Sequence, residues 1–161
     1  ALVQRLQAAQ QFGQGYETVR YTASALVDMA VHSLTDAEPP ADLCAFETDV
    51  LRELGLPHGV GLNHRLVHFQ HLFASAGYAA GYYVYLWAEV LDADGYDAFV
   101  EAGSPFDAAV AQRLLKHVYS AGNTVEPKAA YVAFRGREAR VEPLLRKRGL
   151  LVEGVDAKEP A

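Results

Sequence analysis

The chain has 161 residues, 51% of them apolar and 21% charged, with one cysteine and a formal net charge of -6. That composition is too apolar for a disordered segment, and its acidic balance excludes a general attraction for nucleic acid or an anionic membrane surface. Cys44 has no partner for an internal disulfide, no run of about 18 apolar residues is present to span a bilayer, and no charged-then-apolar leader is visible. The expectation is a cytoplasmic protein without nucleic-acid or membrane partners.

The chain opens on LVQRLQAAQQF, helical in period, with Leu2, Leu6 and Ala9 along one side and no capping residue ahead of it. A start in mid-helix predicts a piece cut from a longer chain, with an apolar face that would drive self-association once its cover is missing. Gly13 and Gly15 permit a bend, and a longer helix is predicted from about Tyr16 to Leu34. Its inward stripe is drawn by Val19, Ala23, Leu26, Ala30 and Leu34, widened by Val27 and Val31. Asp28 and His32 form an i, i+4 pair in which a carboxylate would fix the orientation of an imidazole, most simply a structural pair or merely exposed. Thr35 to Asp42 is a break containing Pro39 and Pro40, and Asp42 or a nearby residue caps a helix that ends at Gly55.

Pro57 to Asn63 reads as loop, and His64 to Ser75 has no convincing period. From Ala79 to about Asp92 the composition again suits a helix. A start near Tyr78 would put Tyr78, Tyr82 and Tyr85 on one face and Tyr83 and Trp87 on another, with the Tyr83 ring buried. Asp94 is a predicted N-cap for a short helix ending near Gly103. A helix starting at Ser104 or Asp107 runs to Gly122, another spans Pro127 to Phe134 after Thr124-Val-Glu, and Pro143 opens the last one, ending at Gly149. LLVEGV at 150–155 is too short to imply a sheet. The expected fold is therefore all-α, an irregular multi-helix domain over 1–161 with a frayed tail from Gly154 to Ala161.

The stretch His64 to Glu89 concentrates the chemistry, with His64, His68 and His71 followed by Tyr78, Tyr82, Tyr83 and Tyr85. A phenol is an apolar plate with a hydrogen-bonding tip, suited to gripping an extended peptide. Gly77 and Gly81 keep bulk away and leave room for a close backbone approach. The histidine spacing of four and three resembles a ligand set, but no acidic or cysteine partner lies in register, so hydrogen bonding is the better use of these side chains. No HExxH, GxSxG elbow or phosphate loop is present. Lys and Arg are absent between Arg65 and Arg113, whereas Arg135, Arg137, Arg140, Arg146, Lys147 and Arg148 gather near the end, placed to pair with the acidic middle of the chain.

In order along the chain, GYETVRYTASALVDMAVHSL, HFQHLFASAGYAAGYYVYLWAEVLDADGYDAF, AGNTVEP and FRGREARVEPLLRKRGL resemble the C-terminal region of the thimet oligopeptidase and peptidyl-dipeptidase family of zinc metallopeptidases. The resemblance implies a two-lobed helical parent enzyme that hydrolyses oligopeptides and whose zinc is bound upstream by an HExxH helix and a further glutamate. It implies no cofactor and no catalysis in this chain alone. It also implies that Tyr82 and Tyr85 hydrogen-bond the substrate carbonyl or oxyanion, and that His71, Tyr78 and Gly77 line the substrate side. Seven positions separate His71 from Tyr78, more than in several members, so His68 is an alternative to His71. A stand-alone helical peptide-binding or interaction module is the alternative reading of the whole chain. Short peptides and the missing N-terminal catalytic region are the partners implied.

Overall fold

The computed structural model describes residues 2–35 and 38–151; the tail expected to fray, at 154–161, lies outside the described residues. Among the described residues eight α-helices follow one another: α1 Leu2–Gln10, α2 Gln14–His32, α3 Leu43–Glu53, α4 Gln70–Phe73, α5 Val84–Glu101, α6 Ala108–Leu114, α7 Pro127–Arg135 and α8 Glu142–Lys147. Short 3-10 turns at Leu66–His68 and Ala76–Tyr78 flank α4, and a π-helical turn at Leu115–Tyr119 extends α6. Among the described residues there is no strand, so the fold is all-α and irregular. No helix among them is long and apolar enough to cross a membrane.

The chain divides into two compact units, residues 13–87 and residues 1–12 with 88–161. In the first, α2 buries Ala23, Ser24, Ala25, Val27 and Asp28. The stripe expected from periodicity is thus rotated: Ala23 and Val27 face the core, while Val19, Leu26 and Leu34 remain exposed. Asp42 caps α3 by accepting from the Cys44 and Ala45 amides. Ala23 and Val27 pack with Leu62, Leu66, Phe69 and Leu72. The last three recur every third residue, a period that fits short 3-10 and single-turn segments and anchors a stretch without sustained helical period. Glu47, also buried, receives the Leu66 amide at 2.6 Å and pairs with Arg65 at 2.7 Å, which ties this stretch to α3.

In the second unit, Ala98, Val110 and Phe134 form the core, with Phe99, Leu114, Val118 and Tyr131 around them. Asp107 caps α6, and Glu126 caps α7 ahead of Pro127. A Cβ added at Gly95 would stand 3.5 Å from the Phe134 ring, so the small residue lets α7 approach α5 closely. The helix break expected at Asp94 does not occur. Asp94 is fully buried inside the continuous α5, where it accepts from Tyr131 at 2.6 Å and from both outer nitrogens of Arg137 at 2.7 and 3.1 Å. Arg135 donates to the Asp94 carbonyl at 3.0 Å and forks onto Glu101 at 2.6 and 2.8 Å. A residue that reads as a helix cap is a receptor for two distant arginines, and burial with full pairing outweighs its capping preference. Outside this network Arg146 pairs with Asp97, Lys147 with Asp92 and Arg148 with Glu89. Exposed pairs of this kind contribute about 0–1 kcal/mol each.

Burial acts to raise the Asp94 pKa, but the hydrogen bonds from Arg137 and Tyr131 and the charges of Arg135 and Arg137 outweigh it and hold the carboxyl below its ordinary value. Burial first, then the bond to Asp94, push the Tyr131 phenol upward. A carboxyl depressed in the folded state stabilises fully above its unfolded pKa of ~3.9, and that contribution is lost as pH falls through the folded value. Asp94→Asn, which leaves Arg137 without its buried counter-charge, should cost about 3–5 kcal/mol near neutral pH. The difference from wild type should shrink at pH 3. Denaturant unfolding at the two pH values checks both.

Candidate functional site

The aromatic site lies within residues 13–87 and is built on a buried carboxylate. Asp28 on α2 has no exposed surface. Its Oδ1 accepts from His32 Nδ1 at 2.8 Å and from the Ala80 amide at 3.1 Å, and its Oδ2 accepts from the Tyr82 amide at 2.8 Å. Residues Tyr78 to Gly81, which carry the first of these anchors, make a type II turn. Ala79 lies at φ -60, ψ 130, Ala80 at φ 53, and the Gly81 amide donates to the Tyr78 carbonyl at 3.1 Å. Ala80 is the one non-glycine residue with positive φ among those described. Side chains in that region cost about 1–2 kcal/mol, and here two amide bonds to Asp28 oppose the strain. A Cβ at Gly81 would come within 3.2 Å of the Tyr78 carbonyl oxygen, a tight contact that favours glycine there. At Gly77 a Cβ would meet only the Ser75 hydroxyl, at 3.6 Å.

The turn folds the tyrosines back over α4. His71, on α4, has Tyr78 at 4.7 Å, Tyr85 at 5.7 Å and Tyr82 at 5.9 Å between ring centroids. The Tyr85 hydroxyl is 3.0 Å from His71 Nε2. Tyr82 meets Tyr85 edge-on at 5.5 Å, stacks on Tyr21 at 5.0 Å and sits against buried Phe69 at 4.9 Å. Tyr82 is thus half-buried and braced from beneath, whereas Tyr78 and Tyr85 keep almost half of their surface exposed.

His71, Tyr78, Tyr82 and Tyr85 therefore come together, though not as three turns of one helix. The helix expected from Tyr78 begins at Val84, Tyr78 lies in a 3-10 turn, and Tyr82 precedes the helix. The Gly-Tyr-Ala-Ala-Gly sequence and the two bonds to Asp28 favour a turn over helical propensity here. His68 is exposed on its own 3-10 turn and makes none of these ring contacts. Tyr83, whose ring was expected in the core, is about half exposed. Tyr21 and Phe69, the floor beneath Tyr82, carry no sequence signal beyond their own aromaticity. The link from Asp28 to residues 80 and 82 had only its helical partner His32 to announce it.

Chemically, the cluster presents phenol tips and an imidazole edge beside an apolar wall, in a stretch devoid of Lys and Arg. Such equipment suits neutral polar groups, above all peptide carbonyls and amides, better than an anionic ligand. When His71 Nε2–H donates to the Tyr85 oxygen, the phenol proton is free to point outward at an acceptor. No group of three or more His, Cys, Asp or Glu side chains among the described residues could hold a metal ion. The residues present thus do not fit a zinc centre, and the site's chemistry is that of hydrogen bonding and packing.

The relatives of this helical chain mark it as a peptidase-related domain. The profile of "Peptidase family M3" matches residues 1–150. The dipeptidyl carboxypeptidase of Salmonella typhimurium is 36% identical over 151 residues, which cover 92% of this chain and 22% of that protein. The organellar oligopeptidase A of Arabidopsis thaliana is 36% identical over 95% of this chain and 20% of its own length, and the oligopeptidase A of Haemophilus influenzae 34% over 91% and 21%. The chain belongs to peptidase family M3 and spans about a fifth of the length of these curated relatives.

The turn geometry sets an asymmetric tolerance at position 80. Ala80→Gly should preserve the ring cluster, whereas Ala80→Val, β-branched at positive φ, should destabilise residues 13–87 by about 1–2 kcal/mol. Denaturant unfolding followed by tyrosine fluorescence reads the difference.

Proposed function

We propose that this chain is the C-terminal substrate-binding part of an oligopeptide-hydrolysing zinc metallopeptidase of the peptidyl-dipeptidase type. The remainder of that two-lobed, cytoplasmic enzyme, upstream, supplies the HExxH helix and the zinc. Tyr82 and Tyr85 hydrogen-bond the scissile carbonyl, and His71, Tyr78 and Gly77, with His68 nearby, line the substrate side. The observation that carries this reading is the Tyr85–His71 hydrogen bond set within the ring cluster. It orients a phenol at the edge of an aromatic wall while leaving almost half of that ring accessible.

During hydrolysis, negative charge grows on the carbonyl oxygen as its bond to carbon is drawn towards a single bond. A phenol already oriented can donate to that oxygen without the reorganisation that bulk water requires. Tyr82, braced by Tyr21 and Phe69, supplies the rigid member of the pair. Tyr85, tied to His71, supplies the more accessible one.

In the complete enzyme, Tyr85→Phe should lower kcat by an amount equivalent to about 2–4 kcal/mol of transition-state stabilisation, with a smaller change in KM. Tyr82→Phe should have the same sign and a smaller effect. Tyr83→Phe, outside the cluster, serves as the control. Near-parental kcat in both site variants would remove the proposed role. The 161-residue chain by itself should cleave no oligopeptide and retain no stoichiometric zinc after dialysis, measured by peptide assay and elemental analysis.

The exposed Leu2, Val3 and Leu6 of α1 give that helix no buried residue of its own. In the complete enzyme the upstream region covers this face, and the separate chain self-associates through it. Sedimentation of the isolated chain should show mass rising with concentration, and Leu2→Glu/Leu6→Glu should suppress the rise.

A further inference from the structure

We propose that Asp28 is the positioning residue of the aromatic site: through the Ala80 and Tyr82 amides it sets where Tyr82, Tyr85 and His71 stand relative to a bound peptide. The peptide part of this inference rests on the substrate-binding reading above, whereas the positioning part stands on the geometry alone.

A fully buried carboxylate normally needs a cation or a full set of donors. Asp94 meets that demand with arginines. Asp28 does not: among the described residues no Lys or Arg pairs with it, and its acceptors are taken by an imidazole and two backbone amides. Its two oxygens grip Ala80, the third residue of the turn, and Tyr82, the residue just after it, one each, which fixes the backbone of Gly81 between them. The His32 ring, bonded to Oδ1 and tilted against Phe73 at 5.4 Å, fixes the orientation of the carboxylate in turn.

The consequence reaches the phenols by a short path. Pinning the Tyr82 amide aims its ring into the slot between Tyr21, Phe69 and Tyr85. Residue 84, two positions later, begins α5 and carries Tyr85 in its first turn, against His71. Ala80 holds a conformation that an alanine rarely adopts, which the turn retains only while its surroundings over-determine it. Asparagine at position 28 preserves the shape of the side chain but offers one acceptor oxygen in place of two, so one of the two amide anchors is lost.

Two measurements test the inference separately. In the 161-residue chain, Asp28→Asn should raise hydrogen exchange at least tenfold at one of the Ala80 and Tyr82 amides, the one that loses its oxygen, while the Leu66 amide, held by Glu47, keeps its protection. Unchanged exchange at 80 and 82 would overturn the positioning role, as would equal loss at residue 66, which signals general unfolding. In the complete enzyme, the same substitution should lower kcat about ten- to a hundredfold, the scale expected for misplacing a reacting group by ~1 Å, with KM changed less and the melting temperature nearly kept. Because the Asp28 substitution can impair folding, His32→Asn and His32→Leu form a second pair. Asparagine, which retains a donor near Nδ1, should restore most of the activity that leucine loses, and equal activities would count against the carboxylate's orientation mattering. If exchange changes as expected while Tyr85→Phe leaves kcat untouched, the positioning stands and the substrate-binding reading falls.

Discussion

A carboxylate buried against backbone amides is the constraint from which the aromatic site follows. Asp28 gains no benefit from solvent, so its two oxygens must be satisfied by whatever the chain brings past α2. What the chain brings is a strained turn, and the match between the two is mutual. The turn supplies the donors that the carboxylate lacks, and the carboxylate supplies the anchors without which Ala80 would relax to a commoner conformation. Helix α2 thereby acts as a rigid arm that presents one acceptor pair to a segment more than fifty residues later.

Another buried carboxylate, Asp94, solves the same problem differently. It meets side chains, the guanidinium of Arg137 and the phenol of Tyr131, together with the charge of Arg135. Those bonds hold α7 and the segment after it to α5, and they lower the carboxyl pKa although burial opposes this. Paired with cations, a buried acid fastens elements together. Paired with amides, it dictates the course of the backbone. The two acids therefore belong to different tasks, one holding helices and the other shaping a loop.

The rings above the Asp28 turn divide by accessibility. Tyr82 has packing on several sides and is rigid, while Tyr78 and Tyr85 stand open around His71. The arrangement is a wall with a braced base and exposed hydrogen-bonding tips. The chain's membership of peptidase family M3 extends over a stretch equal to about a fifth of the relatives' length.

The sequence by itself determined the helical class and most element positions, since capping residues and glycine or proline punctuation act locally. Asp42 and Asp107 each do in space what their neighbours in the chain indicate. It also located the tyrosines and His71 in one stretch, and the ordered motifs pointed to the peptidase family. Tertiary structure decided the rest, for reasons of long-range pairing. Asp94 was legible as a helix cap because its arginine partners lie some forty residues away, and only their arrival makes an uninterrupted α5 with a buried acid favourable. Helical spacing grouped Tyr78, Tyr82 and Tyr85 on one face, yet they meet because a turn folds them onto α4. That turn is chosen by Asp28, whose distance along the chain hides the link from any local rule.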